Sequence, residues 1–258
     1  MRTPDLHAAS AGVAGVAERL VYGWQPVLRA LRTDPARVRE LYLQADLGKA
    51  RRARLPGQLP ASLSIAERSR EQLSEMAGGT RHQGVVALIE SQRMLDEGQA
   101  RQLVESLDDP LLLVLDSVQD PRNFGACLRS ADAAGADLVV IARSRNVGLT
   151  PVVSKVAAGA AEVQPMASVG NLARFLQVLT RAGIIVTGLD DQASESLYEL
   201  DLRGPQALVL GAEGSGLRRL TRERCDRLAR LPMLGSVESL NVSVAAGICL
   251  YEAVRQRS

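Results

Sequence analysis

The pattern of hydrophobic and polar positions divides this chain into two parts. Between residues 20 and 90 the apolar stretches are short, which predicts a small module of helices and strands. From Leu111 onward, segments that are apolar at every position alternate with amphipathic ones. Continuous apolar runs are typical of strands buried on both faces, and their alternation with helices predicts a parallel sheet covered on both sides. The pattern therefore indicates an α/β fold with a small N-terminal module and a larger C-terminal domain.

Local signals predict the individual elements. Ser69 and Gln72 form a capping-box pattern at the start of one helix of the small module. For this module we predict helices over residues 22–32 and 69–79 and strands over 38–44, 62–67 and 83–90. For the large domain we predict strands over 111–116, 137–142, 183–189 and 207–211, a weaker strand over 227–233, and helices over 123–134, 151–159, 170–181 and 239–257.

Composition predicts the domain boundaries. Residues 1–17 are rich in Ala and Gly and are expected to form a disordered tail, since they lack the basic start and apolar core of a signal peptide. We expect a small domain over 18–92, a polar linker over 93–109 and the large domain over 110–258. No apolar run reaches the roughly 18 residues of a membrane-spanning helix, so no membrane contact is expected.

The cysteines and histidines bear on compartment and metal content. Cys127, Cys225 and Cys249 are odd in number, far apart and in apolar or helical contexts. This fits a reducing cytosol and argues against a disulfide framework, so we expect a cytoplasmic protein. The only two histidines, His7 and His82, cannot form a zinc cluster with such cysteines, and no metal is expected.

Charge is distributed unevenly along the chain. The net charge is +2, but residues 1–92 carry 13 Lys and Arg against 9 Asp and Glu, a balance of +4. The densest basic run consists of Lys49, Arg51, Arg52 and Arg54. Such a run can bind RNA phosphates, yet on its own it is more simply interpreted as a solvated loop. Aromatic residues make up only 3%, which argues against a base-stacking platform.

Three stretches follow predicted strands of the large domain, where ligands of parallel sheets bind. They are DPRNFGACLRSADAAG from Asp120, GAEGSG from Gly211, and MLGSVESLNVS from Met233. In the first we expect Asn123 to cap a helix that ends at Gly135. Its buried stripe would be Phe124, Leu128 and Ala131, with Arg129 roughly opposite, so Arg129 is either a solvated charge or a site residue.

The other two stretches have both structural and functional interpretations. GAEGSG is not a P-loop, because no Gly-Lys-Ser/Thr follows, and it lacks the acidic partner of a dinucleotide fingerprint. It forms either a tight turn or a close backbone approach to a flat ligand, although Glu213 is unusual for a turn. Ser239 and Asn241 fit helix capping, which leaves the gathering of small polar residues there unexplained.

In this order and at these separations, NFGACLR, GAEGSG and SLNVSVAAGI resemble the three motifs of the SpoU branch of the SPOUT RNA methyltransferases. The resemblance covers about residues 111–258. YGWQPVLRAL and RHQGV also resemble the small N-terminal domain of members that act on a guanosine of 23S rRNA. Residues 1–17 have no counterpart. The resemblance implies an L30e-like RNA-binding domain followed by a methyltransferase domain with a C-terminal trefoil knot.

The resemblance also implies cofactor, partners and residue roles. Members transfer a methyl group from S-adenosylmethionine to a ribose 2′-hydroxyl and act as homodimers with the site near the subunit interface. By motif match, the backbone around Gly211, Leu231 and Leu240 would hold the donor. The polar active-site residues would be Asn123, Arg129, Glu213, Ser239 and Asn241. A guanidinium has no acceptor, so Arg129 is expected to bind a phosphate and stabilise the developing alkoxide.

Alternative functions stay open on the sequence. The substrate could be free 23S rRNA, a ribosome assembly intermediate or a tRNA. The chain could also be a non-catalytic RNA- or ribosome-binding protein that kept this fold, although its intact motifs argue against that. A nucleotide-dependent oxidoreductase using GAEGSG is a further alternative, which the missing acidic partner disfavours.

Overall fold

The computed structural model describes residues 18–79, 81–90, 94–144 and 146–258. The predicted tail, residues 1–17, lies outside the described residues. Among those described, no helix has the length and apolar character needed to cross a membrane.

The small domain is a four-stranded sheet with helices. Its strands are β1 (Glu18–Tyr22), β2 (Val38–Gln44), β3 (Ser64–Arg68) and β4 (Val85–Glu90), and its helices are α1 (Trp24–Thr33), α2 (Lys49–Arg52) and α3 (Arg70–Met76). The strand order is β1-β4-β2-β3, in which β2 and β3 are parallel and the other pairs antiparallel. The predicted capping box is confirmed, because Ser69 accepts from the Gln72 N–H and the Gln72 side chain accepts from the Ser69 N–H.

The large domain is built on a seven-stranded sheet whose strand pairs are all parallel. Its strands are β5 (Leu111–Asp116), β6 (Leu138–Ala142), β7 (Met166–Val169), β8 (Ile185–Leu189), β9 (Glu195–Ser196), β10 (Gln206–Gly211) and β11 (Arg227–Arg230), in the order β7-β6-β5-β10-β8-β11-β9. Its helices are α4 (Glu97–Glu105), α5 (Pro121–Ala134), α6 (Pro151–Val156), α7 (Leu172–Arg181), α8 (Arg219–Arg222) and α9 (Val242–Arg257).

Both faces of this sheet are covered, as the continuous apolar runs predict. One face packs with α5, α6 and α9 around residues such as Phe124 and Leu128. The other packs with α4 and α7 around residues such as Phe175 and Leu176. The fold class, a parallel α/β sheet with a small N-terminal α/β domain, is confirmed, whereas the trefoil knot stays a prediction.

Several elements were not predicted from the sequence. They are β1, β7, β9, α2, α4 and α8. The most consequential is α4, which lies in the segment 93–109 that we interpreted as a linker. Ala100 and Val104 of this helix are buried against the large sheet, and Leu95 forms a bridge to Ala167 of β7. The segment between the domains is therefore largely packed structure.

A buried ion pair joins the two domains. Arg19 of β1 donates to both carboxylate oxygens of Glu162, at 2.8 and 2.7 Å, and also contacts Ser154. The Arg19 and Glu162 side chains are 7% and 1% exposed. Arg37 bridges the same boundary, donating to the carbonyls of Glu162 and Glu90. Burial raises the pKa of Glu162 and lowers that of Arg19, because it disfavours the charged form of each group. Removing either partner would therefore leave a buried charge without an opposite charge beside it.

Candidate active site

The three motif stretches meet at the carboxyl edge of the large sheet. Asn123 follows β5 and Glu213 follows β10. Asn241 lies at the end of the segment that connects β11 to α9. Strands that run parallel end at one edge, so residues far apart in sequence converge there.

The start of α5 differs from the expectation. Asp120, not Asn123, is the N-cap: its Oδ1 accepts from the N–H groups of Arg122 and Asn123, both at 2.8 Å. Pro121 occupies the first helical position, where proline is favoured because its fixed φ is already close to the helical value. The prediction that Asn123 caps this helix was wrong, and the error has a consequence. Because Asp120 satisfies the helix terminus, the Asn123 amide is available for contacts in the site.

Asn123, Glu213 and Asn241 form a hydrogen-bonded triad. The Asn123 Nδ2 donates to Glu213 Oε2 at 3.1 Å, and the Asn241 Nδ2 donates to Asn123 Oδ1 at 2.9 Å and to Glu213 Oε2 at 3.5 Å. Asn241 also caps α9, its Oδ1 accepting from the Ser243 N–H at 2.9 Å. The Asn241 side chain thus caps the helix with its oxygen and joins the triad with its nitrogen, so both interpretations of this residue hold. Glu213 Oε1 has no partner among the described residues and is open to a substrate group.

The glycine-rich stretch folds into a tight loop on its own backbone. The Gly216 N–H donates to the Ala212 carbonyl at 2.9 Å, and Gly214 and Gly216 have φ of +79° and +62°. A Cβ on Gly211 would lie 2.0 Å from the Gly216 carbonyl carbon and 2.4 Å from the Leu217 nitrogen. If the backbone around Gly211 holds the donor, as the resemblance implies, a side chain there would be excluded by the donor. The structure gives a nearer reason, which is the packing of the loop against itself.

Asp116 and Arg218 secure both ends of this loop. Asp116 ends β5, pairs in register with Gly211 and is fully buried. Its Oδ1 accepts from Arg218 Nε at 2.5 Å and from the Ser117 hydroxyl at 3.1 Å, while its Oδ2 accepts from the Arg218 N–H at 3.1 Å. The hydrogen bonds of this carboxylate are thus used to hold the loop. The sequence signal for it is a charged residue ending an otherwise apolar buried strand.

Asn146 connects the β5–α5 loop to the β6–α6 loop. Its Oδ1 accepts from the Val118 N–H at 2.8 Å, and its Nδ2 donates to the carbonyls of Ala142 at 3.1 Å and Leu115 at 3.4 Å. Asn146 was not predicted as a site residue, since a loop asparagine has no distinguishing sequence pattern.

The segment 231–240, which connects β11 to α9, also lies at the carboxyl edge of the sheet. Within the described residues, none of its N–H or carbonyl groups makes a backbone hydrogen bond. Leu231 and Leu240 are half buried, whereas Leu234 and Val237 are 99% and 60% exposed. The N–H and carbonyl groups of this exposed segment are therefore open to solvent or to a ligand.

Two predicted site residues stand apart from the triad. Arg129 is exposed on α5, six residues or about 9 Å along the helix from Asn123, and no described residue pairs with it. Ser239 is likewise exposed and makes no hydrogen bond within the described chain. The stripe of Phe124, Leu128 and Ala131 is buried as predicted.

The basic run of the small domain divides into two pairs. Arg52 is ion-paired with Glu67, and the Arg54 guanidinium lies 5.0 Å from the centroid of the Trp24 ring. Lys49 and Arg51 are exposed and have no partner among the residues that the structure describes. Their role as RNA ligands stays a prediction.

The cysteines are free thiols packed in the fold. Cys127 and Cys249 are buried between α5, α9 and the sheet, and Cys225 is half buried. Burial raises the pKa of each thiol to about 12, which suppresses the reactive thiolate. In the described part of the chain, no group of three or more His, Cys, Asp or Glu side chains is arranged to hold a metal ion.

Comparison with known proteins bears on this geometry. Residues 110–251 match the model of the SpoU rRNA Methylase family, and residues 20–95 match that of the RNA 2'-O ribose methyltransferase substrate binding domain. The chain belongs to the SpoU rRNA methylase family. The resemblance drawn from the three motifs is confirmed.

Relatives align along nearly the whole chain. The 23S rRNA (guanosine-2'-O-)-methyltransferase RlmB of Pseudomonas aeruginosa is 49% identical over 241 residues, covering 92% of this chain and 96% of that protein. The protein of that name from Photobacterium profundum is 46% identical over 239 residues, with coverages of 92% and 98%.

A solved structure shows the same fold with a donor bound. The SpoU methyltransferase AviRb from Streptomyces viridochromogenes, in complex with AdoMet, superposes with a TM-score of 0.78 at 28% identity, covering 93% of this chain and 90% of that one.

Proposed function

We propose that this protein transfers a methyl group from S-adenosylmethionine to the ribose 2′-hydroxyl of a guanosine in 23S rRNA. The observation that carries the proposal is the triad of Asn123, Glu213 and Asn241, which joins the three SpoU motifs through side-chain hydrogen bonds. The named relatives, aligned over more than 90% of this chain, support the rRNA substrate.

The residues at the carboxyl edge fit the proposed donor. The unpaired backbone of 231–240 offers amides and carbonyls for the adenine and ribose, and Gly211, at the end of β10, would add backbone from the glycine-rich loop. Bound S-adenosylmethionine would supply a methyl group already activated by the sulfonium, and the donor bound to AviRb supports this assignment. No metal is part of the proposed chemistry.

The chain's own residues would align the acceptor and manage its charge. Glu213 is held through Oε2 by two amides, which leaves Oε1 to accept a hydrogen bond from the ribose hydroxyl. Arg129 would bind a neighbouring phosphate and stabilise the alkoxide as a preorganised donor. Ser239, which lies in the segment 231–240, would orient the donor or the ribose.

Arg129 and Ser239 reach the reaction centre most simply in a homodimer. The outer face of α9 carries Val244 and Tyr251, which are 50% and 52% exposed, beside the exposed Leu234 and Val237 of the preceding segment. Scattered exposed apolar residues are ordinary, but a strip of them on the last helix and on the segment that leads into it fits a subunit interface. We infer that this strip pairs with a second copy and that the segment 231–240, threaded as a trefoil knot, closes the donor pocket.

The small domain would capture the RNA in the cytoplasm, either free or in an assembly intermediate. Exposed Lys49 and Arg51 are its proposed phosphate ligands, and the buried Arg19–Glu162 pair would hold the captured RNA in a fixed relation to the site.

Mapping ribose methylation across rRNA and tRNA in cells with and without this protein tests the function. Loss of one guanosine 2′-O-methyl group in 23S rRNA supports the proposal. Loss confined to tRNA would assign the alternative tRNA activity. Unchanged maps, together with no effect of S-adenosylmethionine on the melting temperature, would favour a non-catalytic RNA-binding protein.

A further inference from the structure

A concave site lies at the same edge of the sheet as the proposed active site. It is a cavity of about 440 Å³ between the end of β6, the start of α7 and the residues that follow the glycine-rich loop. Its polar lining comes from Ser144, Asn171, Arg218, Arg219 and Thr221. Arg218 lies five residues after Glu213 in the sequence, and both follow β10, so the cavity lies at the same edge of the sheet as the triad. None of the roles assigned above uses it.

Arg218 is fixed in the orientation that anion binding requires. The buried Asp116 carboxylate holds its Nε, and its backbone N–H is bonded to the same carboxylate. The two terminal nitrogens have no acceptor among the described residues, and the side chain is 38% exposed. A guanidinium held at one edge has the other edge free for bidentate contact with a phosphate, at little further entropic cost.

Further donors border the same cavity. Arg219 is 76% exposed and uses Nη1 for Glu223, so its other nitrogens are free. At the start of α7, the Asn171 side chain caps the Arg174 N–H. The N–H groups of Leu172 and Ala173, which also line the cavity, donate to no described group. Two arginines with free nitrogens and the first turn of a helix with free N–H groups therefore line one concave space.

We propose that this cavity binds a backbone phosphate of the RNA strand next to the target nucleotide. The inference rests on the proposed function, because it takes an RNA strand bound at the triad to continue along the same edge of the sheet. Asp116 is then a positioning residue that holds both the glycine-rich loop and the phosphate-binding Arg218.

The test measures RNA affinity against salt for Arg218→Gln and Arg219→Gln, with a 23S rRNA transcript as the probe. Each lost phosphate contact should make the log–log salt dependence shallower by about 0.7 to 0.9 and weaken binding by about tenfold at low salt. The matched control is Arg203→Gln. Arg203 is 71% exposed and ion-paired with Asp201, but it precedes β10 at the opposite edge of the sheet. Its salt dependence should equal that of the unsubstituted protein.

Arg218→Gln could weaken RNA binding simply by disturbing the fold, because Arg218 is bonded to the buried Asp116. A second variant that should keep the fold intact removes this ambiguity. Ala173→Asp places a carboxylate at the second position of α7, where the helix dipole favours it, so the melting temperature should hold. The same carboxylate would repel a phosphate in the cavity, and RNA affinity should fall at least as far as in Arg219→Gln.

Binding of S-adenosylmethionine, measured by calorimetry, separates the outcomes. Unchanged donor affinity with a shallower salt dependence supports the phosphate site. Lost donor affinity with an unchanged salt dependence would assign the cavity to the donor and overturn the proposal. Unchanged RNA binding in both Arg219→Gln and Ala173→Asp would also overturn it. None of these binding readouts depends on methyl transfer, so failure of the proposed activity would be recognised separately.

Discussion

The Asn241 Nδ2 donates to the Asn123 Oδ1 across 2.9 Å, joining the start of α9 to the start of α5 over 118 residues of sequence. The same Asn241 side chain caps α9 with its oxygen. One amide therefore fixes the position of the last helix and orients the triad. Because the two functions use different atoms of the amide, substitution can separate them.

Asn241→Asp should lose methyl transfer while the fold persists. Aspartate is as good an N-cap as asparagine, so the melting temperature should change little. The variant lacks the Nδ2 donor and places a second carboxylate beside Glu213, so transfer should fall about a hundredfold, the scale of one lost preorganised donor. Asn241→Ala should lose transfer and about 1 kcal/mol of stability as well. Near-normal transfer by Asn241→Asp in single-turnover assays would remove the triad from the mechanism.

Gly211→Ala should abolish donor binding by displacing the loop. The added Cβ would lie 2.1 Å from the Gly216 carbonyl oxygen, closer than real Cβ atoms approach other atoms, so the backbone of 212–217 must move. We expect calorimetric affinity for S-adenosylmethionine to fall at least tenfold. Gly148→Ala is the control, because its Cβ would meet nothing within 4 Å. An unaltered affinity in the Gly211 variant would show that the donor binds elsewhere.

The strands that build the site were predictable because their burial determines their sequence. β5, β6, β8 and β10 are buried on both faces and appear as continuous apolar runs. Edge strands lack that constraint: β9 has two residues, and β1 alternates exposed and buried positions with charges at two of five. The helix α4 was missed for a related reason, since Ala100 and Val104 are its only buried residues.

The site was less accessible to sequence reasoning than the sheet. Asp120 and Asn123 are both good capping residues, and only Pro121 at the first helical position distinguishes them. The Asn123–Glu213 contact spans 90 residues, a separation that no local pattern encodes. The family resemblance identified these residues, while their mutual hydrogen bonds required the fold. It gave no indication of Arg218, whose orientation depends on the buried Asp116.

Removing the exposed basic residues of the small domain should weaken RNA binding and leave donor binding intact. Lys49→Ala/Arg51→Ala should make the log–log salt dependence shallower by roughly 1.4 to 1.8, the effect of two lost phosphate contacts. Arg52→Ala is the comparison, because Glu67 already neutralises Arg52, and it should have less effect. Equal RNA affinity in the double variant and the unsubstituted protein would leave this run as a solvated surface.

Breaking the ion pair between the domains should destabilise the whole protein. Glu162→Ala leaves the Arg19 guanidinium buried without its partner, which costs about 3–5 kcal/mol in comparable sites. For the same reason, deleting residues 1–92 would expose the large domain's side of this boundary and confound an RNA-binding test. Glu105→Ala removes the exposed Arg101–Glu105 pair and should cost under about 1 kcal/mol. Equal denaturation midpoints for the two variants would contradict the importance of the buried pair.

Substitution of Arg129 distinguishes a solvated surface charge from a catalytic residue. It is exposed and unpaired within the described chain, so Arg129→Ala should change stability by no more than about 0.5 kcal/mol. If Arg129 binds phosphate and stabilises the alkoxide, transfer should fall about a hundredfold or more with donor affinity unchanged.

Two further variants sharpen this test. Arg129→Lys should rescue transfer poorly, because lysine lacks the planar fork that binds a phosphate through two nitrogens. Arg181→Ala removes another exposed arginine, which pairs with no residue that the structure describes and lies at the end of α7 near the amino edge of the sheet; this variant should retain full activity. Single-turnover transfer of labelled methyl to an rRNA fragment, with a thermal melt on the same samples, measures both effects. A folded Arg129→Ala protein with near-normal transfer would assign Arg129 to the solvated surface, and the alkoxide would need another donor.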